Sequence, residues 1–323
     1  MKLNRILTYA VLSCLTILGI ISCKKDDTAS VTPPRDITEV MLEDDEALQE
    51  YLSTHFYNYE DFANPPASFD YKIVFDTIEG TNANKIPLID QVQTKPVIIL
   101  DADEEEVAHN LYYLIAREGE GVHPHVADSV YVKYTGSNLS GDVFDFTNVP
   151  VWFDQIGNPY YTSSTGVVTG WKFFTPELKT GTFTGLDAGV AVYENYGVGA
   201  VFMPSGLGYF NTTITGVSAY SPLVFRIDML ANIESDHDGD KIPSYYEDQD
   251  GDFFMYNVDT DGDGIADIYD VDDDGDSALT IDEIEYTDLD ENGRISIDEI
   301  DFLDYNDDDL PDYLDPNYFV EED

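Results

Sequence analysis

Val167-Val168-Thr169-Gly170-Trp171 is the stretch on which the fold turns. Two β-branched aliphatics, a threonine, a glycine and a tryptophan read as a buried strand end turning sharply into a helix. Gly170 permits a backbone conformation or close approach that a Cβ would block. Trp171 is one of two tryptophans in the chain, with an indole that gains most from being packed. Alone, such a tryptophan is core. Matching segments on both sides make it a site candidate.

Upstream stand Val130-Tyr131-Val132-Lys133-Tyr134-Thr135-Gly136 and Gly141-Asp142-Val143-Phe144-Asp145. Downstream stand Met203-Pro204-Ser205-Gly206-Leu207-Gly208-Tyr209, then Val217, then Ser221-Pro222-Leu223-Val224-Phe225. Val130, Val132 and Tyr134 alternate with Ser129, Tyr131 and Lys133, the period of a strand. A helix is expected from Trp171 to about Leu178, held to about two turns by Pro176. In this order the pieces resemble the FKBP-type peptidyl-prolyl cis-trans isomerases, over residues 111–231.

The resemblance implies an α+β fold, an antiparallel curved sheet around one short helix. It implies a proline pocket with Trp171 beneath the ring, lined by Tyr134, Phe144, Val167, Val168, Val217 and Phe225. Asp145 would be the polar partner at the rim. The Val168 amide and the Tyr209 hydroxyl would hold substrate carbonyls. No cofactor is implied for catalysis, because twisting an imide needs an apolar pocket and a placed dipole rather than a nucleophile. The sequence departs from the family at residues 182–196, an insertion, and at Phe210, where the family has glycine. Val151, with Trp152 beside it, stands where a second pocket aromatic is expected. A non-catalytic FKBP-fold module, a chaperone or adhesive surface lipoprotein, therefore stays open beside the isomerase.

Residues 1–22 carry Lys2, Arg5 and an apolar run from Ile6 to Ile21, too short and interrupted for a span, and read as a signal peptide. Ser22-Cys23 makes it similar to bacterial lipoprotein signals, cleaved before Cys23 with lipid on its thiol. Cys14 would leave with the signal, so no disulfide is expected. Lys25-Asp26-Asp27 resembles a short signal for the outer face of the outer membrane. The expected location is the cell envelope, as an outer membrane lipoprotein with surface exposure allowed. Residues 23–42 read as a tether containing Pro33-Pro34, and 43–110 as an N-terminal extension without chemistry. In it, Asp44–Tyr57 has helical spacing, with Leu48, Tyr51, Leu52 and His55 on one side. Tyr71–Phe75 and Val97–Leu100 read as strands. His123 and His125 share a loop with no third ligand nearby and read as loop residues.

Residues 232–323 hold 35 of the 65 acids and two bases, Lys241 and Arg294, and so carry 33 of the 50 net negative charges. Nucleic acid and anionic lipid surfaces are excluded as partners of such a face. The acids are ordered. Asp236, Asp238, Asp240 and Glu247 begin the series, and Asp248, Asp250 and Asp252 follow. Asp259, Asp261 and Asp263 alternate ahead of Asp267 and Asp270, and Asp304, Asn306, Asp308, Asp312 and Asp315 repeat those offsets. Asp288, Asp290, Asn292 and Glu299, with Gly293, fit the EF-hand calcium loop, and Asp272, Asp274, Asp276 and Glu283 fit it with Ser277 in place of glycine. Ile265, Leu279 and Ile295 take the hydrophobic position. The tail resembles thrombospondin type 3 repeats and implies structural Ca²⁺. Expected partners are therefore proline-containing proteins, calcium and a membrane reached through the lipid; the sequence sets no oligomeric state.

Overall fold

A computed structural model describes residues 33–159 and 166–318. The signal, Cys23 and Lys25-Asp26-Asp27 lie outside the described residues. Everything below belongs to the unit Arg35–Asp323.

The first helix among the described residues, α1 (Ile37–Thr54), begins inside the expected tether. The cause is Asp36, whose side chain accepts the Glu39 amide at 2.9 Å and caps the helix. The helix ends at Thr54, and β1 (His55–Tyr57), α2 (Tyr59–Ala63) and β2 (Phe75–Thr77) follow. The expected strand at 71–75 is thus reduced to its last residue. Tyr71 has φ 57°, a left-handed conformation that breaks an extended chain.

Six strands then build one antiparallel sheet: β3 (Gln93–Leu100), β4 (Glu106–Arg117), β5 (Ser129–Asn138), β6 (Val143–Asp154), and β9 (Gly197–Met203) and β10 (Leu223–Ile233) farther on. Their order is β3-β4-β9-β10-β5-β6. The sheet therefore starts within the stretch read as extension. It includes β3, which pairs with β4 from Gln93↔Tyr113 to Leu100↔Glu106. Between the strands lie α3 (Thr169–Phe174), which runs on as a 3-10 turn to Glu177, and a hairpin, β7 (Thr182–Asp187) with β8 (Val190–Glu194). The insertion at 182–196 is this hairpin. In the tail a second small ribbon pairs β11 (Ile284–Tyr286) with β12 (Ile300–Phe302).

Both faces of the sheet are covered, and the period of two along each strand divides the side chains between them. Val201, Met203, Leu223, Phe225 and Ile227 face α3 in one core with Trp171 and Phe174. Val198, Ala200, Phe202 and Val224 face the opposite way, onto Leu48 and Leu52 of α1 with Ile73 and Leu88. All seven residues of β9 are buried. The extension is therefore the second layer of the fold. Among the described residues no helix is long and apolar enough to cross a membrane.

One polar tie fastens that layer. Asp44, buried in α1, accepts from the Ser205 amide at 2.7 Å and the Ser205 hydroxyl at 2.6 Å. Ser205 belongs to the turn leading to Tyr209. Asp44→Ala leaves both donors without their acceptor. It should cost about 3 kcal/mol in denaturant unfolding, without displacing the midpoint of calcium binding by the tail.

Candidate functional site

The sharp turn at the start of α3 works because residue 170 has no side chain: a Cβ there would lie 2.8 Å from the Met203 sulfur. The helix therefore sits directly on the sheet, with Trp171 buried against it. Around the indole stand Tyr134 (ring centroids 5.1 Å apart), Phe225 (5.3 Å) and Phe153 (5.6 Å), all edge to face. Phe144 meets Phe225 at 5.6 Å and Tyr209 at 6.4 Å, again edge to face. Edge-to-face contact is the favoured geometry for rings and holds this box in shape. Gly136 makes room for it, since a Cβ there would come within 2.7 Å of both the Phe144 and Phe225 rings.

Val167 and Val168 pack against the same core, and Val217 is buried in it. Val168 is the N-cap of α3, and its amide donates to no backbone carbonyl among the described residues. Asp145 accepts the Tyr134 hydroxyl at 2.6 Å. Burial raises the Tyr134 and Tyr209 hydroxyls above their ordinary range, and the Asp145 charge adds to it. The structure thus brings together all nine residues expected at the pocket: rings, aliphatics, one carboxylate and one amide with no backbone partner among the described residues. An apolar box with a single carboxylate at its side favours a twisted, less polar imide over a planar one.

Phe153 was not among the expected residues, and it corrects the expectation at Val151. Opposite Tyr134 and Val132, β6 runs from Thr147 to Val151, so extra residues including Pro150 bulge from the edge strand. The bulge resets which side chains face inward. Trp152 stacks on Tyr131 at 4.8 Å, 45% exposed, while Phe153 turns to Trp171. The missed signal was Pro150, which cannot donate to a ladder.

The tail folds back onto this domain. His125 stacks on Tyr245 at 3.6 Å, and the Tyr256 and Tyr269 hydroxyls donate to the carbonyls of Ile156 and Gly157. Phe173 of α3 meets Phe253 and Phe254, each at 5.9 Å.

Five acidic groups converge so that one oxygen from each member lies within 4.8 Å of the others: Asp238, Asp240, Glu247 and Asp273; Asp248, Asp250 and Asp252; Asp259, Asp261 and Asp263; Asp272, Asp274 and Asp276; Asp288, Asp290 and Glu299. Oxygens around one Ca²⁺ can be about 5 Å apart, twice the metal–oxygen distance. Oxygens of Asp238, Asp240, Asp248, Asp272, Asp274, Asp276 and Glu283 are buried with no hydrogen-bond partner, as are both oxygens of Glu247 and Asp273. Burial, then mutual repulsion, pushes Asp273 up to about 10 and Glu283 up to about 8. Desolvated acceptors without donors are what a hard cation requires, so the residues fit calcium.

Several expected ligands have other roles. The amide of the second loop residue is taken by the side chain seven residues on: His237 by Ser244, Thr260 by Asp267, Asp273 by Thr280 and Tyr305 by Asp312. Asp267 accepts the Thr260 hydroxyl with its other oxygen and so staples its loop. Asp236, Asp270, Asp304, Asp308 and Asp315 stand outside the five groups of acids, and Asp315 accepts from Asn306 and Asn317. Asn292 gives its amide groups to Asp288 and Asp290. Ile265 and Leu279, at the hydrophobic position of their loops, are 37% and 43% exposed, while Ile242 and Ile268 are buried.

Residues 237–302 match the family described as BamM C-terminal. The FKBP-type peptidyl-prolyl cis-trans isomerase FkpA of Buchnera aphidicola is 25% identical over 128 residues, 40% of this chain and 43% of its own. Outer membrane protein MIP of Legionella longbeachae is 27% identical over 140 residues, 43% of this chain and 48% of its own. The chain thus spans less than half the length of these curated relatives. Among solved structures, a peptidyl-prolyl isomerase from Pseudomonas syringae aligns over 43% of this chain and 82% of its own, with 22% identity and TM-score 0.29. FkpA from Escherichia coli aligns over 60% and 61%, with 18% identity and TM-score 0.32. A six-stranded antiparallel sheet packed on the short helix α3 and two named sequence relatives agree: the chain contains an FKBP-like unit, similar in sequence to FKBP-type isomerases over about two fifths of its length.

Proposed function

We propose that this protein is a peptidyl-prolyl cis-trans isomerase of the cell envelope, acting on Xaa-Pro bonds of exported proteins. The observation that carries the proposal is the ring box around Trp171 with Asp145 hydrogen-bonded to Tyr134 at its side. An imide crosses a barrier of ~18–20 kcal/mol when it twists. The twist decouples nitrogen from carbonyl, so the transition state is less polar than the planar imide at the proline nitrogen. A proline ring on the indole, away from water, is favoured in that geometry. The Val168 amide, unpaired in the described residues, holds a neighbouring substrate carbonyl. Asp145 orients Tyr134 and offers a negative charge to the rim. Every step is orientation and desolvation, and no covalent intermediate is formed.

Envelope placement rests on Ser22-Cys23 and on the relative that is named an outer membrane protein. In this reading Cys23 carries the lipid, the tail is held by calcium and the surface is open to clients. The non-catalytic alternative has Trp152, Phe146 and Val149 in its favour, an exposed apolar edge on β6 suited to binding unfolded chains.

Asp145→Ala should lower kcat/KM on a proline tetrapeptide by roughly 10–100-fold, the worth of a hydrogen bond to a charged group, with the circular dichroism of the folded domain retained. Trp171 is too deeply buried to delete without loss of stability, so Trp171→Phe is the matching change and should weaken turnover. A wild-type protein inactive on every Xaa-Pro peptide, yet preventing aggregation of an unfolded client, would leave the chaperone reading.

Cys23→Ser should move the protein from the membrane to the soluble fraction or leave it unprocessed. Unchanged fractionation removes the lipid anchor from the proposal.

Chelation should open residues 232–323 to protease and change the near-ultraviolet signal of their tyrosines, with the isomerase unit intact. Like charges there lie well within the ~8 Å screening length, so ion binding and compaction are one event. Identical digestion with calcium and with chelator would mean a tail ordered without metal.

A further inference from the structure

Asp273 is the one acid of the run Asp272-Asp273-Asp274 that leaves its own loop. Alternate residues point to opposite sides of an extended chain, and Asp272, Asp274 and Asp276 converge on their own site. Asp273 points the other way and meets Asp238, Asp240 and Glu247 of the first loop. It is held there by its backbone, since its amide donates to the buried Thr280 hydroxyl at 3.2 Å. Asp273 and Asp240 are each 2% exposed and Glu247 is 1% exposed. Both oxygens of Asp273, both of Glu247, and one each of Asp238 and Asp240 have no hydrogen-bond partner. No lysine or arginine pairs with any of the four among the described residues. Four converging oxygens, one from each residue, among six buried acceptor oxygens with no donor are the arrangement of a ligand shell.

We propose that Asp238, Asp240, Glu247 and Asp273 form a buried inter-loop calcium site that clasps the first acidic loop to the fourth. The inference rests on the calcium reading of the tail and adds which site closes it. Oxygen-only donors disfavour zinc, which takes nitrogen and sulfur. Magnesium keeps several waters and demands near-octahedral spacing, for which four converging carboxylates, three of them buried, leave little room. Calcium accepts six to eight oxygens at variable angles and can be stripped of water. Ligand charge and rigidity set affinity. The clasp has three buried carboxylates and one half-buried, Asp238, whereas Asp248, Asp250 and Asp252 form an open set of three. The clasp is therefore the tightest site of the tail, filled first. Because its ligands come from residues 35 positions apart, its ion fixes two loops that share no strand.

The test is calcium titration of the mature full-length protein after chelation, by calorimetry, with hydrogen exchange read at Gly239 and Ile242 in the first loop and Ser277 in the fourth. Asp273→Asn keeps the shape and removes one charge. It should weaken the tightest class of sites by roughly tenfold or more, and expose the first-loop amides as well as those of the fourth. Asp276→Asn, an in-loop control, should expose the fourth loop alone. Glu247→Gln should reproduce the Asp273→Asn pattern, and the double variant should cost little more than either. If Asp273→Asn perturbs the overall fold, Glu247→Gln and Asp238→Asn carry the same comparison. Unchanged tight binding and unchanged first-loop protection in Asp273→Asn and Glu247→Gln overturn the clasp while the calcium tail stands. No calcium binding by the wild type overturns both.

Discussion

Burial of β9 on both faces is the constraint on which the rest depends. Gly197–Met203 has no solvent side, so two separate hydrophobic layers must exist, and each must present its own apolar surface. On one side that surface is α3 with its tryptophan; on the other it is α1 and the segment to Leu88. A strand buried on both faces reads as a continuous apolar run, and Val198–Met203 does so. The pocket and the N-terminal layer are thus two sides of one strand.

The same logic explains how a six-residue helix can carry a site. So short a helix has no stability alone. Here Trp171 and Phe174 anchor it to the sheet, while Phe173 reaches to Phe253 and Phe254 of the tail. The helix is held from two directions, and its N-terminal turn at Val168 is fixed by packing rather than by a side-chain cap. Order in the tail therefore adds to rigidity behind the pocket floor without contributing a residue to the pocket.

How much of this was legible follows from what kind of signal each element leaves. Strands with one buried face alternate, and β5 did. The pocket rings were legible only through the resemblance of the ordered segments around Trp171; the structure adds that glycines 136 and 170 stand where rings or sulfur need space. Phe153 was not, because a bulge changes the parity of a strand without changing its composition. The start of α1 was hidden by Pro33-Pro34, although Asp36 and Glu39, three apart, are a capping signature. In the tail the alternation at every second residue was plain. Asp273 was masked by its neighbours, since one acid among three in a row carries no mark of facing another loop.

The tail also separates two uses of the same side chain. A carboxylate that receives backbone amides already has its charge spread over donors, and Asp267 is of this kind. A buried carboxylate without donors keeps its full charge in a medium that opposes it, and Glu247 and Asp273 are of this kind. The first kind stabilises a loop with or without metal. The second destabilises it until a cation or protons arrive. Loops containing both are therefore preformed in outline and incomplete in energy. The sheet has no comparable cluster of converging acids among the described residues, so in the proposed calcium reading the two parts of the chain respond to the ion unequally.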